Sequence, residues 1–388
     1  MAEGLLIGRK PLFNRELRVF GYLLLPWTEG RDRGWSSVLD AVLAQGVGHL
    51  TGPLEGYLQL PASVAAEHAE ALAGLADIGV GVWLEHADAA FLRTVAGAAP
   101  DLGLIVRPST PEALEGHAPR WWAVDASEAR DAGWREALRG RKWLADGVDD
   151  YETAMQMQEW GAQGFAGAFF QKPERVRARA PQANAHVLKV LADAWRAESP
   201  EELAASVRSD PDLSYRLLRY INAPAFGLRA RVSTIEQALA LLGLVRTRRW
   251  LSLVALSALA QRKPDELVRT ALVRARFGEL FARRAGDAET GDDFLVGLFS
   301  VLDAMLDQPM EEAIADLPVA DEVRAGLLDP KSRLGKRLAA AKALERGRWD
   351  EVLKHLDDGR ALSLMETAHL YHEAIAWADA QMQALVNA

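Results

Sequence analysis

The hydrophobic period of the chain changes once, near residue 180, and that change limits what it can fold into. Up to residue 175, short apolar runs alternate with amphipathic helical stretches. The runs are Leu5–Ile7, Val19–Leu25, Val47–Leu50, Val80–Leu84, Leu104–Val106, Trp122–Val124, Lys142–Leu144 and Phe165–Phe169. Helical spacing fills most of the gaps, as in Trp35–Ala44, Glu67–Ala76, Glu128–Leu138 and Tyr151–Trp160. Strand–helix alternation with short connections predicts a mainly parallel sheet. The first pair is the exception, because Phe13-Asn14-Arg15-Glu16 reads as the turn of an antiparallel hairpin. Eight short strands suggest a barrel. A full one usually needs at least ~200 residues, so this one is expected to be trimmed or incomplete. After Pro181 helical spacing takes over. Phe294, Leu295, Leu298, Val301, Leu302 and Met305 form the stripe of a buried helix face. Asp210-Pro211 and Ser233 read as helix starts, with a loop between at 222–227. Two domains follow, 1–175 α/β and 181–388 all-α, joined by a charged linker at 172–182 that carries two prolines.

Composition narrows the function. With 388 residues, 49% of them hydrophobic, the chain supports two cores. Zero cysteines exclude disulfides, thiolate zinc sites and a cysteine nucleophile. The net charge is −9, of which residues 1–175 carry −8 (16 Lys+Arg against 24 Asp+Glu) and residues 176–388 carry −1 (29 against 30). Phosphate backbones demand a basic excess, so nucleic acid is not expected as a partner. No apolar run approaches the ~20 residues of a membrane span. The opening MAEGLLIGRK has too short an apolar stretch for a signal peptide. A cytoplasmic protein is expected.

Several segments resemble known families. PLFNRELRVFGYLLL resembles the opening of an EAL domain, the barrel family that hydrolyses cyclic di-GMP. FAGAFFQKPE (165–174) is similar to that family's closing strand, and LADGVDDYETAMQMQEWGAQGF to the segment around its late acidic residue. DPDLSYRLLRYINAPAFGLRARVSTIEQALALLGLVRTRRWLSL (210–253) is similar to the core of HDOD domains, helical relatives of HD phosphohydrolases in bacterial signalling proteins. The resemblance implies a degenerate TIM-like, EAL-type barrel followed by an HDOD helical domain.

Carried over residue by residue, the EAL chemistry fails. The place of the metal-binding signature glutamate is held by Leu23. The region of the next strand's asparagine reads His49-Leu50-Thr51, and the paired aspartates fall at Glu85-His86. The family's lysine falls at Ala123, its following aspartate at Asp125, its late glutamate at Asp146 and its final glutamine at Ala166. Two-metal phosphodiester hydrolysis needs carboxylates converging on ions ~3.5–4 Å apart. Leucine offers no oxygen, and alanine orients no water. No catalytic residue, metal or cofactor is expected.

Other residues admit two readings each. Glu85, Asp125 and Asp146 at strand ends are a residual cation site or, as the favoured reading, helix caps. The position of an HD-like pair reads Ser300-Val301, with Asp303 one turn on as a surface or capping acid. Glu366, His369, His372 and Glu373 are a metal cluster or, more simply, the solvated face of the last helix. Arg246, Arg248, Arg249 and Trp250, with Arg229 and Arg231 upstream, are a docking surface for a protein partner or an ordinary helix start. Trp27, Trp121 and Trp122 are core or a cover over the barrel mouth. Arg107 is the best placed cation for a nucleotide phosphate.

The reading that follows is a non-catalytic bacterial signalling adapter. It binds other signalling proteins in a cyclic di-GMP or two-component pathway. One alternative is a sensor that binds cyclic di-GMP without cutting it. The other is a relic phosphodiesterase.

Overall fold

The computed structural model describes residues 6–27, 34–115, 118–174, 187, 191, 194–195, 197–208, 210–222, 230–288, 290–315, 317, 319–355 and 362–387. The linker from residue 175 on, most of the 222–227 loop and Arg229 lie outside them.

Eight strands form a closed barrel in sequential order: β1 (Ile7–Asn14), β2 (Val19–Pro26), β3 (Glu55–Pro61), β4 (Val80–Ala87), β5 (Leu104–Pro108), β6 (Trp121–Asp125), β7 (Trp143–Asp146) and β8 (Gly164–Ala166). β1 runs antiparallel to both neighbours, and every other pairing is parallel. The hairpin expected at Asn14 is present. Asn14 Oδ1 accepts from the Glu16 and Arg18 amides, and Leu17 takes the left-handed conformation that the turn requires. Two expectations are corrected. The barrel is closed, not incomplete. The run at 47–50 is helix, and the third strand lies further on at Glu55–Pro61.

Between the strands lie α1 (Trp35–Gln45), α2 (Gly48–Thr51), α3 (Ala62–Glu67), α4 (Ala69–Asp77), α5 (Ala89–Ala98), α6 (Ala132–Leu138) and α7 (Tyr151–Glu159). The helical half runs through α8 (Pro200–Arg208), α9 (Pro211–Ile221), α10 (Ile235–Leu259), α11 (Asp265–Arg284), α12 (Gly291–Phe299) and α13 (Leu302–Leu306). It continues with α14 (Met310–Ala313), α15 (Asp321–Leu328), α16 (Arg333–Glu345), α17 (Trp349–His355) and α18 (Leu364–Asn387). α10 is capped by Thr234, which accepts from the Gln237 amide, rather than by Ser233. It kinks at Gly243, whose φ of 74° is outside the helical range. α11 carries Asp265 and Glu266 in its first turn and Arg283 and Arg284 in its last, matching the helix dipole at both ends.

Three apolar clusters hold the molecule. One fills the barrel with Leu12, Leu23, Tyr57, Trp83, Ile105, Trp121, Ala123, Leu144 and Ala166. A second, small one joins α8, α9 and one face of α10 as far as Val254. The third is continuous from the outer side of the barrel to α11, α12, α16 and α18. This continuity rests on the hairpin. Tyr22 on β2 donates its hydroxyl to Glu266 Oε2 on α11 at 2.8 Å. His372 on α18 lies 2.8 Å from the Ile7 carbonyl on β1, so Nε2 must carry the proton. Gly8 passes so close to Leu344 O on α16 that no Cβ fits between them. Arg274 on α11 is buried. Its fork bonds Glu345 at 2.6 and 2.7 Å, Gln171 after β8 at 2.8 Å and Ser300 at 3.1 Å.

Candidate functional site at the barrel mouth

Strand alternation decides what the mouth contains. On the parallel strands, the residues that follow the inward-facing core positions toward the C-terminal end are Leu25, Gln59, Glu85, Arg107, Asp125 and Asp146. Antiparallel β1 adds Lys10, which pairs across to Leu23. Closure of the barrel therefore gathers three carboxylates and two cations that are far apart in sequence.

Arg107 stands among the acids. Its guanidinium lies 3.8 Å from Glu85, 3.3 Å from Asp125, 3.6 Å from Asp146 and 3.8 Å from Glu128. Lys10 Nζ reaches Asp146 at 2.6 Å. Glu85 Oε1 accepts from Gln59 Nε2 and from Trp83 Nε1, both at 2.7 Å. Burial pushes the Asp125 carboxyl up, but hydrogen bonds from Ser127 and the Arg107 guanidinium outweigh it and hold it below its usual value. A carboxylate held ionised in this way is a weak general base at neutral pH. Beneath the charges the barrel is apolar, with Leu23, Ala123 and Ala166 fully buried. Among the described residues, no three His, Asp or Glu side chains form a group that could hold a metal ion.

The structure thus brings Glu85, Asp125, Asp146 and Arg107 together, and it corrects the capping reading for Glu85 and Asp146; Asp125 also accepts from the Ser127 amide, just ahead of the short 3-10 turn Glu128–Arg130. Asp150 is the cap of α7, accepting from the Thr153 amide at 2.7 Å. Glu85 and Asp146 cap nothing and serve Arg107 and Lys10. His86 does not join them; it is exposed, in left-handed conformation where the β4–β5 register shifts. The third strand faces the mouth with Gln59, not with His49-Leu50-Thr51. Sequence reasoning missed Gln59 and Lys10. Their signal was parity with Tyr57 and Leu12, visible only once the strand is placed.

The remaining sites disperse. Ser300 accepts from Arg274 and donates to the Gly297 carbonyl at 2.7 Å. Burial pushes the Asp303 carboxyl up, so it is not a surface acid. Glu366 forms a capping box with Ser363 and pairs with Arg284. Glu373 pairs with Arg276 at 3.1 Å. His372 faces the barrel rather than solvent. Of the arginine group, Arg246 and Arg231 are the exposed ones among the described residues. Arg248 bonds the Ala197 carbonyl, Arg249 pairs with Glu279, and Trp250 is 2% exposed against Tyr220. They do not form one surface. Trp121 lies at the opposite end of β6 from the mouth, stacked on Phe20 at 5.2 Å, so it covers nothing there. Trp122, the next residue on β6, is buried in the outer core, and Trp27 packs half-buried against that core after β2.

Residues 180–313 match the HDOD domain family. The chain is similar to the uncharacterized protein YuxH of Bacillus subtilis, 28% identical over 251 residues, or 63% of this chain and 61% of YuxH. It is similar to the cyclic di-GMP phosphodiesterase CdgJ of Vibrio cholerae, 34% identical over 224 residues, or 55% of this chain and 50% of CdgJ. It thus spans between 50% and 61% of the length of these relatives. Among solved structures it is similar to the Bacillus subtilis YkuI protein, with an EAL domain, in complex with c-di-GMP and calcium. There the TM-score is 0.36 at 11% identity, covering 54% of this chain and 73% of that one. No helix among the described residues is long and apolar enough to cross a membrane. The stretch that matches the HDOD family thus follows a closed eight-stranded barrel.

Proposed function

We propose that the protein is a non-catalytic signalling adapter in a pathway that uses cyclic di-GMP or a two-component relay. It works by binding other signalling proteins. The observation that carries this reading is the guanidinium of Arg107 standing among Glu85, Asp125 and Asp146, above Leu23 and Ala123. Two-metal chemistry would need cations bridging those acids and substrate oxygens. Here the Arg107 and Lys10 side chains already engage the acids that such cations would need. The kinship with the phosphodiesterase CdgJ supports the pathway, and the HDOD domain supports the adapter role.

Calorimetric titration of the full chain with cyclic di-GMP, with and without Mg²⁺ or Mn²⁺, tests it, alongside a hydrolysis assay. No turnover and no metal-dependent heat are expected. Turnover that disappears in Asp125→Ala and Asp146→Ala would make the protein an enzyme. Binding without turnover, abolished by Arg107→Ala, would make it a sensor.

A further inference from the structure

A cavity of about 230 Å³ opens at the edge of the barrel mouth, between β1, the loops after β7 and β8, and helices α11, α16 and α18. The barrel supplies Lys10, Pro11 and the loops after β7 and β8. The helical half supplies Thr270, Val273, Tyr371 and the turn at Arg346–Arg348. Its wall includes the hydroxyls of two buried residues, Tyr371 and Thr270, and both oxygens keep accessible surface. Tyr371 is 2% exposed and Thr270 7%, and neither hydroxyl has a hydrogen-bond partner among the described residues. An accessible hydroxyl with no protein partner is free to bond water or a ligand that enters the cavity.

The charges around the cavity sort in one direction. Lys10 is engaged by Asp146, Arg9 by Asp379, and Glu345 by Arg274. Glu266 receives Tyr22 and lies 3.1 Å from Arg269. At the rim stand exposed Arg346 and Arg348, the latter 3.3 Å from half-buried Glu351, and they are opposed by Asp149. Two forked cations at an opening suit a phosphate. Pro11, Phe170 and Val273 give an apolar wall for the body behind it. The volume lies below the ~300–1,000 Å³ of common ligand pockets, which fits one phosphorylated unit and not a dinucleotide.

We propose that this cleft binds a small phosphomonoester, of mononucleotide size or less, with its phosphate on Arg346 and Arg348 and its body against Tyr371 and Thr270. The ligand touches both halves of the chain and sits beside the Lys10–Asp146 pair, so its binding tightens their docking.

The test is calorimetric titration of the full chain with ribose 5-phosphate, 5′-AMP and 5′-GMP, with inorganic phosphate as the control. At least one phosphomonoester is expected to bind saturably and more tightly than phosphate. Its affinity should fall about tenfold or more in Arg346→Ala/Arg348→Ala, each lost charged contact being worth roughly that factor. It should weaken in Tyr371→Phe, which keeps the ring, and strengthen in Asp149→Asn. The proposal is overturned if none of the three binds below ~1 mM. It is equally overturned if phosphate binds as well as they do, or if the arginine variant, shown folded by its circular dichroism, binds unchanged.

Discussion

Removing the guanidinium of Arg107 leaves Glu85, Asp125, Glu128 and Asp146 facing one another across the barrel mouth. Arg107→Ala is therefore expected to lower the unfolding free energy by about 1–3 kcal/mol, toward the lower end because the partners are partly hydrated. Urea titration at pH 7 measures it. The deficit should shrink as pH falls, since protonation removes the repulsion. The sign agrees with Asp125. Its folded pKa is depressed, so its contribution is present above the unfolded value and lost as pH falls through the folded one. His372 behaves in the opposite sense to a salt-bridged histidine. Burial lowers its pKa from 6.5 to about 4. Between those values the unfolded chain binds a proton that the folded chain does not, so stability rises with pH across that window. His372→Gln is expected to flatten the dependence, which amounts to at most about 3 kcal/mol; urea midpoints at pH 4.5 and 7 would show it. Neither role was legible residue by residue. Arg107, Glu85, Asp125 and Asp146 were each singled out, but their meeting depends on barrel closure and strand parity. His372 was assigned to solvent because a helix face shows its partner only when the partner strand is known.

The hairpin of β1 and β2 is the element on which the two halves meet, and its closest approach is Gly8 beneath Leu344 of α16. Gly8→Ala places a methyl where backbone oxygen already sits. It is expected to destabilise the fold by about 1–3 kcal/mol. The matched substitution Gly140→Ala, at a glycine with nothing within 4 Å but a φ of +74°, should cost about 1 kcal/mol or slightly more through its backbone alone. Thermal unfolding of the pair separates crowding from conformation. Most strands were readable from short β-branched or aromatic runs. The third was not, because Glu55, Gln59 and Pro61 interrupt its apolar character, and the inward faces of this barrel accept polar groups at both rims. Val47–Leu50 has strand-like composition but is too short to declare a period, and it closes as one helical turn before Gly52.

Across the whole molecule, the boundary between apolar clusters does not coincide with the change of period near residue 180. Helices α11 to α18 share a core with the barrel, whereas α8, α9 and one face of α10 as far as Val254 have their own. The region matched to the HDOD family ends at residue 313, yet Leu344, Tyr371, Ile375 and Ala378 beyond it complete the shared core. Truncation after residue 313 is therefore expected to bare apolar surface on the hairpin side of the barrel. Increased binding of a hydrophobic dye and loss of the monodisperse peak in gel filtration would report it; an unchanged, stable fragment would show that the shared core is dispensable. The hydrogen bond between β1 and α18 has a temporal side as well. His372 and Ile7 are separated by 365 positions, so a ribosome that has just released β1 must make nearly all the rest before the cover for that strand exists. During that interval, the newborn barrel carries a sticky flank that only a chaperone, or haste, can shield.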